Sequence, residues 1–437
     1  MRAILLTEIF TRFRARKTNI ETSHHFKELY TRVRSSPHQF FRALLTANQL
    51  LNNSSRDQTP FSTHSSNVTS NDALLDPFSP HQTSQNLQQQ SGLHSDWIQW
   101  AENEGRQRLL ASCFMFDIHQ SIYHEQKRSD VHMDETASLL CLPCPDNIWN
   151  ASTAEEWQVH FNDCTVQHLP LVEQDLSSQY VVSGSPFSQC LFICSLATRL
   201  PVRDDLTYPN VFFPNNMDST ILNMQTLFPT SPLAHSYLAL NHTPLHDLLA
   251  IAGDTWVFGK KITPPEAFHS AQSRLKQWSS TLAAAAATQH ACHVISTVLQ
   301  PQSPEPSCVS DYWALYTAAL ICWAFGHRYS SSGAVPGSLS RTNSATVMND
   351  SMEIDSPLAA SPDEAKLKAL KYVNGILELG TEDLLTSKAG MRGDTVGVID
   401  AVRSRLETEG VGSKCMMIVD AIMVLTRIKE GGRGKWF

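Results

Sequence analysis

Three cysteines and one histidine in the first half of the chain have the residue types and spacing of a small zinc site. Cys141 and Cys144 are separated by two residues, and His160 and Cys164 follow them. Thiolate and imidazole ligands suit tetrahedral Zn²⁺. Against this interpretation, a Leu-Pro pair fills the turn between the first two cysteines, where zinc knuckles usually have small or polar residues. We therefore assign all four residues to packing and predict no metal site, with a zinc site built from these four as the alternative.

The same Cys-x-x-Cys pair would serve redox chemistry only if it opened a helix after a strand, in a βαβ unit that lowers the thiol pKa. The sequence pattern shows no such unit. Cys190 and Cys194 lie one helical turn apart in an apolar segment, where cysteine behaves as a small hydrophobic residue. The chain has 10 cysteines and is too large for a disulfide scaffold, so we interpret them as reduced, intracellular thiols.

The other candidate chemistry rests on charged residues. Glu104 and Arg108 are four residues apart with the acid on the N-terminal side, which is the order that favours a helical ion pair. Glu104 and Asp117 could in principle act as paired carboxylates in acid–base catalysis. The sequence contains no Gly-x-Ser-x-Gly, no Gly-x-x-x-x-Gly-Lys and no His-Glu-x-x-His motif. We predict no catalytic residue, no bound cofactor and no enzyme activity.

Charge and hydropathy limit the kinds of partner. Residues 12–17, Arg-Phe-Arg-Ala-Arg-Lys, could contact phosphates, although a solvated helix face is the commoner role of such a run. The formal net charge of −8 argues against binding nucleic acid or membrane through bulk electrostatics. The apolar run 314–325 is shorter than the roughly 20 residues that a membrane span needs, so it predicts a core helix. No membrane partner is expected.

Helices must position these residues. Apolar side chains recur at helical spacing around 109–116, 312–323, 367–377, 396–406 and 418–425, and strand-like alternation is scarce. The predicted fold is all-α, a large multi-helix domain with disordered inserts.

Composition divides the chain into five segments. Residues 51–95, which we name the first insert, and residues 330–362, the second insert, contain too few large apolar side chains to order themselves. The predicted organisation is basic N-terminal helices at 1–50, the first insert, a main helical domain at 96–329, the second insert, and C-terminal helices at 363–437 that pack on the domain.

Blocks of residues across these segments resemble one family. The first block runs from a Trp-rich approach through a Glu followed by Arg residues to an Asp, and a second block has a Leu-Pro turn that leads to paired tryptophans. Two further blocks continue the similarity, at 244–256 and 320–327. The residues that carry it are Trp97, Trp100, Glu104, Arg108, Asp117, Leu142, Pro143, Trp149, Trp157, Gly253, Trp256 and Trp323.

In this pattern the chain resembles the regulatory domain of fungal transcription factors, the middle homology region of the xylanolytic-activator type. It is most similar to the subgroup that carries Cys-Cys-His-His zinc fingers ahead of this domain, and the similarity covers most of residues 1–50 and 96–437. The resemblance implies that the twelve residues have structural roles. It departs from the family in one respect, because no finger pair or binuclear zinc cluster is found in these residues.

The resemblance implies a nuclear regulatory and protein-interaction module that controls transcription by RNA polymerase II. Its expected partners are the transcriptional machinery or co-regulator proteins. Zinc and direct DNA recognition are expected only of the missing upstream finger, so DNA binding by this chain alone should be weak or absent. The alternative function is a helical metalloprotein or enzyme that uses the zinc site described above.

Overall fold

Helices form nearly all of the regular structure in the described part of the chain, which confirms the predicted all-α fold. The computed structural model describes residues 2–14, 23–35, 80–126, 140–164, 184–200, 219–253, 256–257, 260–261, 265–300, 309–326, 362–386, 395–408 and 415–431. Within these residues the only strands are β1 (Trp256–Val257) and β2 (Lys260–Lys261), which pair antiparallel with Trp256 opposite Lys261.

The chain divides into two compact units. Unit 1 comprises residues 1–5, 23–118 and 128–195, and unit 2 comprises residues 6–22, 119–127 and 196–437. The predicted main domain at 96–329 is therefore shared between the two units, and the predicted C-terminal helices belong to unit 2.

The described residues of the N-terminal half form six helices. They are α1 (Arg2–Arg14), α2 (His24–Ser35), α3 (Pro80–His124), α4 (Asp146–Trp149), α5 (Ala154–Asp163) and α6 (Pro186–Ala197). In unit 1, Phe26 of α2 packs edge-on against Phe116 of α3, with ring centroids 5.3 Å apart. Helix α5 begins where the Thr153 hydroxyl accepts the Glu156 backbone N–H, a side-chain cap that satisfies one otherwise unpaired helix donor.

The long helix α3 begins earlier than the sequence predicted. It starts at Pro80, so residues 80–95 of the first insert are helical rather than disordered. Glutamine is a good helix former, and the Gln-rich stretch leads directly into the helix of the first signature block. The remainder of the first insert lies outside the described residues, as does the second insert up to residue 361.

Unit 2 contains the other helices. They are α7 (Ser219–Leu227), α8 (Pro232–Asn241), α9 (Leu245–Ile251), α10 (Pro265–Trp278), α11 (Leu282–Leu299), α12 (Val309–Gly326), α13 (Pro362–Leu377), α14 (Thr381–Thr386), α15 (Val396–Thr408) and α16 (Met416–Gly431). Helices α8, α12 and α13 pack around α11, while α15 packs against α12, α13 and α16.

Small residues allow the helices of unit 2 to approach closely. Helix α11 starts after Thr281, whose hydroxyl accepts the Ala284 backbone N–H, and its alanines are largely buried. A Cβ atom at Gly397 of α15 would lie 2.7 Å from the Lys368 Cβ atom of α13, so this crossing requires glycine. Helix α11 is long and apolar enough to cross a membrane by composition, but more than half of it is buried inside the protein. Residues 314–325 are buried as well, as the sequence predicted.

Candidate functional site

A buried ion pair lies at the centre of unit 1. Helix α3 places Glu104 and Arg108 one turn apart, and the Arg108 Nε atom donates a hydrogen bond of 2.9 Å to Glu104 Oε1. The two side chains are only 1% and 13% exposed, for Glu104 and Arg108 respectively. The spacing indicated the pair. Its burial makes each charge depend on the other, because removing one partner would leave the remaining charge uncompensated.

Both charged groups bind the backbone of one distant residue. The Cys144 N–H donates to Glu104 Oε1 at 3.0 Å, and Arg108 Nη2 donates to the Cys144 carbonyl oxygen at 2.8 Å. The ion pair thereby satisfies two backbone groups of the Leu142-Pro143-Cys144 turn, which has no regular structure to pair them. We call Glu104, Arg108 and the Cys144 backbone the buried junction.

Aromatic rings cover the guanidinium of the buried junction. The Arg108 Cζ atom lies 4.4 Å from the ring centroid of Trp149 and 5.6 Å from that of Phe187. Asp146 adds a carboxylate oxygen 3.8 Å from Arg108 Nη2. A cation held over an indole face is attracted by the ring quadrupole, and more strongly when water is excluded.

The paired tryptophans form a core beside the buried junction. Ile148, Ala151 and Trp157 are buried together, and the Trp100 ring lies 5.6 Å from that of Trp157. The partly buried residues packed against this cluster are Leu93, Trp97, Trp100, Cys144, Phe161 and Cys164. Packing therefore accounts for two of the three cysteines of the candidate zinc site.

The thiols near the buried junction are poor nucleophiles at neutral pH. Burial raises the pKa of Cys141 to about 11, with a smaller contribution from the Glu104 carboxylate. Burial and the same carboxylate also raise the pKa of Cys144, although Arg108 opposes the shift. The thiolate is the form that attacks an electrophile, and these thiols stay protonated.

The structure does not assemble the alternative zinc site. His160 Nδ1 lies 3.5 Å from the Asn147 side-chain amide, at the exposed side of α5. In the part of the chain that the structure describes, no group of three or more His, Cys, Asp or Glu side chains could hold a metal ion. The prediction that the chain holds no zinc remains to be tested by metal analysis.

Nine of the twelve family-signature residues lie in unit 1 and three in unit 2. Those of unit 1 are Trp97, Trp100, Glu104, Arg108, Asp117, Leu142, Pro143, Trp149 and Trp157, and those of unit 2 are Gly253, Trp256 and Trp323. Asp117 is buried further along α3, and Trp323 is buried in α12. Gly253 follows α9 with a φ of 105°, a conformation that favours glycine at a helix end.

Sequence reasoning missed several residues that the fold brings to these sites. Phe187 joins Arg108, and Arg274 binds Asp247 with two hydrogen bonds of 2.8 and 2.6 Å. These partners are far apart in the sequence, so no local pattern of residues indicates that they meet. Burial raises the pKa of Asp247, but the hydrogen bonds from Arg274 outweigh burial and leave the pKa below its usual value.

Comparison with known proteins shows what this part of the chain is similar to. Residues 26–181 match the family described as fungal specific transcription factor domain. This range includes the buried junction and the tryptophans Trp149 and Trp157. The N-terminal half of the chain is therefore similar to a fungal specific transcription factor domain.

Curated relatives agree with this assignment. The chain is 21% identical to the zinc finger protein klf1 of Schizosaccharomyces pombe over 293 residues, which cover 60% of this chain and 36% of that protein. It is 26% identical to the nicotinate catabolism cluster-specific transcription factor of Emericella nidulans over 294 residues, 56% of this chain and 32% of that protein. A third relative, the transcription factor PfmaH of Pestalotiopsis fici, is 30% identical over 66 residues, 15% of this chain and 7% of that protein.

The matched region spans about a third of the length of the first two relatives. No solved structure matches the chain significantly.

Proposed function

We propose that this chain is the regulatory and protein-interaction domain of a fungal zinc-finger transcription factor, acting in the nucleus on transcription by RNA polymerase II. The observation that carries the proposal is the family match over residues 26–181, because its signature residues Glu104, Arg108 and the 142–144 turn meet in one buried junction. A buried contact of this kind holds two segments of the folded domain together.

The chemistry of the buried junction supports a role other than catalysis. Oε1 of Glu104 accepts two hydrogen bonds, while its Oε2 is buried without a hydrogen-bond partner. Arg108 is shared among the carboxylate, a backbone carbonyl and two aromatic rings. The nearby thiols are protonated because burial raises their pKa. A general acid, base or nucleophile must reach a substrate, and these groups are committed to one another.

Exposed apolar side chains of unit 1 support a role in protein binding. Ile98, Trp149 and Val159 are 47%, 37% and 59% exposed. Aromatic and aliphatic side chains that stay in water on a folded unit are typical anchors of protein–protein contacts. We propose that the partners are components of the transcriptional machinery or co-regulator proteins.

A reporter assay tests the regulatory role. The full chain is fused to an unrelated DNA-binding module that recognises a reporter promoter, and reporter transcript is measured in fungal cells. The fusion should change transcription several-fold relative to the module alone. Arg108→Met, which breaks the buried junction, should lose the effect, whereas Arg106→Met, on the same helix but in an exposed pair, should keep it. An expressed nuclear fusion that leaves transcription unchanged would contradict the proposal.

DNA recognition by this chain alone is expected to be weak. Reading a sequence requires an element that enters a groove with base-contacting side chains, and the finger that supplies it in the family is not found in these residues. Charge alone gives dissociation constants of about 10⁻⁴ to 10⁻⁶ M that rise steeply with salt. Mobility-shift titration against a randomised duplex pool should show no enriched motif, and enrichment at nanomolar protein would refute this expectation.

A further inference from the structure

Four histidines gather in unit 2, where no family-signature residue lies among them. His235 belongs to α8 and His242 follows its end, while His290 and His293 belong to α11. The His235 ring stacks on that of His293 at 4.2 Å, and the His242 ring lies parallel to that of His290 at 6.3 Å. His235 and His290 are 5% and 6% exposed.

The contact between His235 and His290 joins one ring nitrogen of each directly. The two Nδ1 atoms lie 3.0 Å apart. The other nitrogen of each ring faces a group that can only accept or only donate a hydrogen bond. His235 Nε2 lies 2.8 Å from the Pro229 carbonyl oxygen, and His290 Nε2 lies 3.2 Å from the Gln225 amide nitrogen.

These partners determine where the protons lie. A carbonyl oxygen only accepts, so His235 carries its proton on Nε2 and presents a bare Nδ1. The Gln225 amide nitrogen only donates, so His290 Nε2 is bare and its proton sits on Nδ1. The result is one consistent chain, in which Gln225 donates to His290, His290 donates to His235, and His235 donates to the Pro229 carbonyl.

The separation of the two nitrogens favours a shared proton over a shared metal ion. Two imidazole ligands of a tetrahedral zinc ion, each about 2.0–2.1 Å from the metal, would have their nitrogens roughly 3.3 Å apart. The observed 3.0 Å is an ordinary length for an N–H···N hydrogen bond. The described residues also offer no third ligand group for a metal at this place.

Other imidazoles act on both rings of the pair. His290 feels His235, His242 and His293, and His235 feels His293. Helix α7 has no titratable residue, Tyr237 on α8 hydrogen-bonds His119, and Cys292 on α11 lies 3.9 Å from Cys322 on α12. The helices packed against α11 carry further titratable groups: Asp311, Tyr312 and Tyr316 of α12, Asp363, Glu364, Lys366, Lys368, Lys371 and Tyr372 of α13, and Glu382 and Asp383 of α14.

We propose that the His235–His290 pair is a proton-sensitive junction between α8 and α11, closed when the two rings share one proton and opened when a second proton enters. A second proton on His235 would point two N–H groups at each other across 3.0 Å, and the neighbouring imidazoles supply no negative charge to compensate. The packing of α8 on α11 should therefore loosen in mild acid.

The pH window follows from the folded-state protonation of the rings. Burial lowers the pKa of His235 to about 4, and burial together with the neighbouring imidazoles lowers the pKa of His290 well below 6.5. In the unfolded chain both rings take up protons near their ordinary value of 6.5. The stabilising contribution is therefore complete above about pH 6.5 and is lost as the pH falls toward 4.

Two measurements on the full chain test the proposal. The first uses long-range ¹H–¹⁵N spectra of ¹⁵N-histidine-labelled wild-type protein at neutral pH. His290 should show the Nδ1-protonated neutral form and His235 the Nε2-protonated neutral form. Any other pair of tautomers would overturn the proposal without requiring a variant to fold.

The second compares urea unfolding from pH 7.5 to 5 for wild type, the double variant His235→Gln/His290→Gln, and the exposed-site control His269→Gln. Below about pH 6 each ring of the pair should lower the wild-type folding constant by up to tenfold per pH unit, and the double variant should lack this component. The control should behave as wild type. The same pH dependence in wild type and double variant, or zinc-dependent stabilisation that the double variant abolishes, would overturn the proposal.

Discussion

Replacing Arg108 by methionine should destabilise unit 1 far more than an ordinary surface ion pair would predict. Methionine keeps most of the aliphatic volume, but it leaves the Glu104 carboxylate, which is 1% exposed, without its guanidinium partner. It also removes the hydrogen bond to the Cys144 carbonyl oxygen and the cation over Trp149. Breaking a buried pair from one side costs about 3–5 kcal/mol, and little solvent is present here to screen the remaining charge.

A matched control lies on the same helix. Glu102 and Arg106 have the same spacing and the same order, but their side chains are 65% and 54% exposed and their closest atoms are 3.7 Å apart. Arg106→Met should therefore cost less than about 0.5 kcal/mol. Urea unfolding followed by tryptophan fluorescence suits the comparison, because Trp100, Trp149 and Trp157 surround the buried junction.

The double variant Glu104→Gln/Arg108→Met completes the test. Glutamine can still accept the Cys144 N–H but carries no charge, so the double variant should recover about 1–3 kcal/mol relative to Arg108→Met alone. If Arg108→Met and Arg106→Met have the same unfolding free energy within about 0.5 kcal/mol, the buried junction does not hold unit 1 together and the reasoning is refuted.

Three further predictions concern metal, chain accessibility and a second ion pair. Purified chain should contain no stoichiometric zinc by elemental analysis; one mole per mole that disappears in Cys141→Ser/Cys144→Ser would restore the metalloprotein alternative. Limited proteolysis should cut the first insert before α3 begins, and the second insert, ahead of any described helix, as their composition predicts. Arg274→Met should lower stability by about 1–2 kcal/mol at neutral pH, since Arg274 is half exposed, and the loss should vanish as the pH falls through the lowered pKa of Asp247.

Local patterns in the sequence were sufficient to predict several of the helices and one ion pair. The i to i+4 spacing of Glu104 and Arg108 identified the pair because a helix brings such residues together whatever surrounds it. The helical spacing at 396–406 similarly identified α15, where Ile399, Val402 and Leu406 are buried. The same reasoning misjudged the start of α3, because a polar, Gln-rich segment without an apolar stripe can still extend an established helix.

Contacts between distant segments were beyond these patterns. Cys144 was noticed as a possible ligand, yet its backbone, rather than its thiol, binds the ion pair. Backbone groups are the same in every residue, so no residue type signals such a contact. His235 and His290 are 55 positions apart in the sequence. Their contact depends on how α8 crosses α11, and the two histidines do not determine that crossing.

The geometry of the buried junction explains why two separate blocks of sequence belong to the same structural unit. The Glu-x-x-x-Arg block on α3 and the Leu-Pro-Cys turn are two halves of one contact, since each would bury unpaired polar groups without the other. Removing the turn would leave a buried carboxylate and guanidinium with fewer partners, and removing the ion pair would leave the Cys144 N–H and carbonyl unsatisfied. A substitution in either block should therefore weaken the same unit, and substitutions in both should be less than additive. The two blocks are therefore coupled through one contact.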